Sequence, residues 1–290
     1  MQSATHPPSP EEFLAIRQRM ISECAPEIVR WTIPFYGWVN DQPVQNGTGV
    51  LFRLGDVHFV VGAAHVLDYP AVHRIPYMTG GEGGKLIPLP IKKVVTSPIP
   101  AGFRPEESDM RDDDPWDIGI AELTPETASQ LTPFWRFAQL RELEPSPDAP
   151  QAIYYVVGYP FQLTENDVLA RSTETRLLSY VTAIHEGDRH SRDQKAEILL
   201  EYPLENMDSN ENSVHLPRPE GMSGCGIWRL NDPSQPLNLW RPSDVKLVGI
   251  EHRWRKHHRY LVGTSVRHAV QLILKHYPEL RRTTDLVYPV

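Results

Sequence analysis

Twenty-eight prolines are scattered through the 290 residues and never gathered in tracts. Each proline inside a helix removes a backbone hydrogen bond and costs about 3 kcal/mol. A chain so interrupted is confined to short elements. Between the breakers lie short segments rich in β-branched and aromatic residues, at 28–36, 48–54, 57–61, 118–123, 153–157, 177–185 and 198–202. Short strands at such spacing, bounded by turn residues, point to an all-β barrel or sandwich. Only the two ends read as helix. Ser9-Pro10-Glu11-Glu12 offers a capping serine, proline at the first helical position and glutamate three residues after the cap, so a helix is expected to about Cys24. Its apolar positions, Phe13, Leu14, Ile16, Met20 and Ile21, have helical spacing. After Gly263, the pattern Val266, Ala269, Val270, Ile273, Leu274 predicts a C-terminal helix that stops before Pro278. The expected organisation is a helical extension over 1–26, which either covers the core or meets a partner, and one folded unit over 27–290.

With 40% apolar and 23% charged residues, the chain can bury a large core. A net charge of −8 creates no global field for nucleic acid or an anionic membrane surface, so neither is an expected partner. Cys24 and Cys225 stand far apart and form no disulfide framework. No apolar run reaches the ~20 residues that span a bilayer, and the N-terminus lacks the basic-then-apolar pattern of a signal peptide. A cytoplasmic protein is expected.

Three separated motifs carry groups that could act together. "VVGAAHVLD" places His65 after a run of apolar and small residues, "DPWDIGIAEL" opens an apolar strand with Asp117, and "EGMSGCGIW" sets Ser223 in a glycine-flanked turn. Nucleophilic hydrolysis needs this set. A base must take the hydroxyl proton, imidazole titrates near neutrality, and a carboxylate can fix its tautomer and stabilise the imidazolium. Of the rival acids at 112–114, all lie in the polar run "EESDMRDDD" (106–114), which reads as a solvated loop; it lacks the ligand spacing and glycine turn of a metal loop.

The segments "GTGVLF", "VVGAAHVLD", "DPWDIGIAEL", "VVGYP", "EGMSGCGIW" and "LVGIEHRW" with "YLVGTSV" resemble, in order and approximate spacing, the trypsin-like serine proteases, particularly their bacterial, intracellular-looking branches. The resemblance spans residues 29–274. It implies two six-stranded antiparallel β-barrels, at roughly 27–140 and 141–276, with the active site in the cleft between them. It also implies His65 as base, Asp117 as the orienting acid, Ser223 as nucleophile, and the backbone amides of Gly221 and Ser223 as the oxyanion hole. Substrate-binding positions fall at Glu220, Glu251, His252 and Gly263. A carboxylate at 251 facing the primary pocket would favour a basic substrate side chain, although strand alternation should turn one of Glu251 and His252 outward.

Two departures bear on control. The usual G-D-S-G-G-P turn reads G-M-S-G-C-G here, so Met222 replaces the aspartate that pairs with a newly cut N-terminus in secreted zymogens. Cys225 reads as a small packing residue. "HRWRKHHRY" (252–260) reads as a charged hairpin tip, or as a patch for acidic substrate residues. "NDPSQPLNLWRPSD" (231–244) reads as a proline-rich hairpin extension. The expected activity is serine endopeptidase action on a protein or peptide substrate through an acyl-enzyme, with no metal or organic cofactor and with a narrow substrate range or a regulatory protein partner. The alternative is the same fold kept as a non-catalytic binding or scaffold module.

Overall fold

The computed structural model describes residues 9–39, 42–68, 77–79, 86–88, 90–98, 114, 116–144, 152–167, 172–185, 197–203, 205–207 and 213–282. Helix α1 (Pro10–Trp31) starts at the expected capping box: Ser9 Oγ accepts from Glu12 N at 3.2 Å, and Glu12 Oε2 accepts from Ser9 N at 2.8 Å. It does not stop at Cys24 but runs through Pro26 to Trp31, which moves the first strand's start from 28 to 32. The reason is an apolar stripe that continues past the proline. Met20, Cys24 and Ile28 lie one turn apart and are all buried, and Trp31 stacks on Trp228 with ring centroids 5.0 Å apart. Burying side chains of this size contributes about 1.5–3 kcal/mol each, which outweighs one lost backbone bond.

The chain is mostly β. From α1 it enters β1 (Thr32–Val39), β2 (Gln42–Leu54) and β3 (Val57–Ala63), then the four-residue helix α2 (Ala64–Leu67). The strands β4 (Tyr77–Thr79), β5 (Leu86–Pro88), β6 (Ile91–Thr96) and β7 (Ile118–Leu123) complete an antiparallel sheet in the order β5-β4-β1-β2-β3-β7-β6. Every residue of β7 is buried, as its apolar run requires. Helix α3 (Pro125–Leu131) follows at once.

The second half holds β8 (Tyr154–Gly158), the hairpin β9 (Thr164–Asp167) with β10 (Ser172–Thr175), then β11 (Leu178–Thr182) and β12 (Glu197–Glu201). A further short pair, β13 (Glu205–Met207) and β14 (Ser213–His215), leads to β15 (Gly226–Arg229), β16 (Lys246–Arg255) and β17 (Tyr260–Ser265). Six of these strands form a sheet in the order β11-β8-β15-β16-β17-β12. Its outer strands meet: His185 N donates to Leu199 O, Glu201 N donates to Ala183 O, and Ile184 bridges Leu200. The two large sheets therefore have seven and six strands, where six and six were expected. The segment 231–244 is no hairpin. It folds into two 3₁₀ turns, and Trp240 is buried with its Nε1–H on Leu230 O.

Helix α4 (Val266–His276) packs on β7 of the first sheet and on β16 and β17 of the second. One core cluster draws from α1, β2, β3, β7, β8, β15, β16 and α4, so the sheets share buried apolar surface. No helix among the described residues is long and apolar enough to cross a membrane.

Candidate active site

His65 stands in the first turn after β3, which is buried along its last five residues and fixes where the turn begins. Asp117 reaches it from the turn before β7. The Asp117 carboxylate takes two bonds from this one residue: His65 N donates to Oδ1 at 2.9 Å, and the ring Nδ1 lies 2.7 Å from Oδ2. Asp117 O also accepts from Ala64 N at 3.0 Å. The Asp117 side chain is buried, whereas the His65 side chain keeps 27% exposure, so the acid is sheltered and the imidazole is open to a ligand.

The turn is built by its neighbours. Asp114 Oδ1 accepts from Trp116 N and Oδ2 accepts from Ser97 Oγ, while Ser97 Oγ takes the amide of Ile118. Asp114 is thus buried, a correction to its place in a solvated loop; the rest of 106–113 lies outside the described residues. The bracket forces Asp117 to φ +38°, a left-handed conformation that aspartate tolerates better than most residues. Burial alone would raise the Asp117 carboxyl. The imidazoles of His65 and His252 outweigh it and hold the group well below the usual carboxylate range.

Ser223 comes from the second half, in a turn pinned at every peptide. Glu220 O accepts from Phe161 N at 2.7 Å, so the opposite end of that peptide, Gly221 N–H, faces away from Phe161. Gly221 O accepts from Gln45 Nε2 at 2.8 Å and Thr48 Oγ1 at 3.0 Å. Met222 N donates to Pro219 O, and Met222 O accepts from Cys225 N. Among the described residues, the amides of Gly221 and Ser223 donate to no protein acceptor, the condition an oxyanion hole requires. Gly221 has φ +92°, and a Cβ there would lie 2.3 Å from Gln45 Oε1 and 2.8 Å from Phe161 N. No other residue fits.

The two halves meet at this turn. Thr48 N donates to Ser223 O at 2.9 Å, and Thr48 Oγ1 accepts from Tyr159 N. A Cβ on Gly224 would fall 1.9 Å from Thr48 O and 3.1 Å from Ala63 N, two residues before His65. The Ser223 hydroxyl donates to His252 O at 3.5 Å and, among the described residues, makes no hydrogen bond to the His65 ring. Met222 is fully buried in the second core cluster, so packing, with no ion pair, anchors the turn from below. Cys225 is buried in the same cluster, and burial pushes its thiol far up, away from the reactive thiolate.

The expected substrate-binding residues divide. Glu220 is exposed in the turn. Gly263 faces the sheet interior, where a Cβ would come within 2.2 Å of Ile227 Cδ1, so it serves packing. Strand alternation does not separate Glu251 from His252, because the β16–β17 register shifts between Glu251 and Arg253, and both side chains are buried. Glu251 O takes the amide of Gly224, while its buried carboxyl accepts from the Arg253 backbone and keeps Oε2 unbonded. Burial first, and the charge of Asp117 second, push that carboxyl up to about 8. His252 belongs to this floor and not to the hairpin tip; only 256–259 forms the exposed turn.

Sequence reasoning missed Gln45, which pins Gly221 O, and the approach of His252 to Asp117. Gln45 carries no local signal, being polar within a strand. A buried acid–imidazole pair and a glycine turn with two open amides can support general-base activation of a hydroxyl and stabilisation of an oxyanion. Among the described residues no three histidine, cysteine or acidic side chains group as a metal site. No model of a known protein family matches the chain, and no curated protein matches it.

Proposed function

We propose that the protein is a serine endopeptidase of trypsin-like kind, its two sheets serving as the two halves of a double-barrel fold with the cleft between them. Ser223 attacks the scissile carbonyl, and His65 takes the serine proton and passes it to the leaving amine. Asp117 holds the imidazole with Nδ1 protonated, and water then hydrolyses the acyl-enzyme. The amides of Gly221 and Ser223 bind the developing oxyanion. The observation that carries this reading is the pair of bonds from one residue, His65, to one buried carboxylate, which leaves the other ring nitrogen for proton transfer.

The buried Met222 supports a turn that forms without a newly cut N-terminal amine. Control then rests on a narrow substrate range or a partner protein. The long bond from Ser223 to His252 O, with none to His65, favours the second reading, a binding module of the same fold. Catalytic contacts often tighten only with substrate bound, so the apo geometry leaves the first reading ahead. Incubation with a set of unfolded proteins and peptides tests the pair. Cleavage by the wild type and none by an equally folded Ser223→Ala variant is expected; cleavage surviving in Ser223→Ala contradicts the enzyme reading.

A further inference from the structure

We infer that His252 is a positioning residue for Asp117, donating a second imidazole N–H to the carboxylate that holds His65. The inference rests on the peptidase reading for its catalytic consequence and on geometry for its existence. His252 Nδ1 lies 3.6 Å from Asp117 Oδ2, the same oxygen that takes His65 Nδ1 at 2.7 Å. The His252 side chain is 2% exposed and that of Asp117 1%. Neither ring nitrogen of His252 has a hydrogen-bond partner among the described residues. A buried N–H left unpaired is costly, and a small rotation of the ring closes 3.6 Å to bonding length.

The backbone goes out of its way to place this ring. Glu251 pairs with Gly263 and Arg253 pairs with Val262, so His252 is the extra residue of a β-bulge, and bulges re-aim side chains. An apolar residue would fill a buried site at less cost than an imidazole unless the imidazole has a polar task. The same residue's carbonyl accepts from the Ser223 hydroxyl at 3.5 Å, so His252 touches two members of the site.

The groups facing His252 set its charge. They are Asp117 from the turn before β7, His65 from α2, and Arg253 on its own strand, with Glu251 beside it. Burial lowers the His252 imidazole, and Asp117 only partly offsets this, so the ring is neutral with one N–H to give. When His65 takes the serine proton, one carboxylate faces one imidazolium. A second imidazolium in the same buried site has no counter-charge, which keeps His252 a donor and never the base. Its N–H spreads the carboxylate's charge; without it, more negative charge faces His65 and the protonated form of that ring gains.

The test compares His252→Leu, which removes the donor, with His252→Asn, which keeps an N–H of similar reach. The readouts are the fluorophosphonate labelling rate per folded molecule across the acid and neutral range, and the ring-nitrogen chemical shifts of the wild type. His252→Leu should lower the rate roughly tenfold to hundredfold, the loss of one bond to a charged acceptor, and move the acid limb to higher pH, with His252→Asn restoring most of both. A folded His252→Leu protein with the wild-type rate and limb overturns the inference. Where His252→Leu fails to fold or the wild type takes no label, the chemical shifts decide: Nδ1–H on neutral His252 supports the pairing, and an Nε2–H tautomer overturns it. Wild-type refusal of the label counts against the peptidase reading alone.

Discussion

Asp117 is held at φ +38°, a conformation that asparagine adopts at least as readily, so Asp117→Asn keeps the backbone it needs. It cannot keep the tautomer, because an amide N–H facing His65 Nδ1 turns that nitrogen into an acceptor. The variant is expected to fold and to lose about four orders of magnitude in turnover, read by single-turnover kinetics beside a thermal midpoint. Glu251 makes a stability forecast instead. Its carboxyl titrates at about 8 in the folded chain against an ordinary value of 4.5, so between those values the folded state holds a proton that the unfolded state lacks. Stability then falls as pH rises through that window, by up to about 1.4 kcal/mol per unit. Glu251→Gln should flatten the fall and stabilise the protein at mildly alkaline pH; an unchanged pH slope in urea titrations would contradict this. The meeting of His65 with Asp117 and the glycine turn that carries Ser223 were legible because each stands at a strand end or turn that has its own local signature. The burial of both Glu251 and His252 was not, because a bulge cancels the alternation from which facing is read.

At the scale of elements, strand positions were readable within a few residues where apolar runs are bounded by turn residues, as in β7, which occupies the expected 118–123. The end of α1 was not. Pro26 is a strong local stop signal, and it was overruled by tertiary packing of Met20, Cys24 and Ile28 on one stripe. The helix is therefore part of the core and not a detachable arm. Ile28→Ala, beyond the proline and fully buried, should cost about 2–5 kcal/mol in chemical denaturation. A loss under a few tenths of that would show the last turns of α1 to be peripheral. Asp114 was misread for the opposite reason: composition described the run 106–114 as solvated, but its last residue turns inward to bracket the strand that presents Asp117.

The whole molecule joins two antiparallel sheets through one continuous core, the stack of Trp31 on Trp228, helix α4 and the turn around Ser223. The β class was legible from pattern and prolines. Strand counts were not, since β4 and β5 have three residues each and give no period to read. Shared core implies shared cooperativity, so calorimetry should record a single unfolding transition; two separated transitions would mean that the halves fold independently. Because His65 and Asp117 come from the first half and Ser223 from the second, the site exists only when both are folded. Intact mass after exposure to a fluorophosphonate, followed by peptide mapping, tests the central claim most directly. One adduct on Ser223 in the wild type, absent from His65→Ala although the serine remains, is the predicted result. A folded wild type without adduct, or a His65→Ala variant labelled as fast as the wild type, would contradict it.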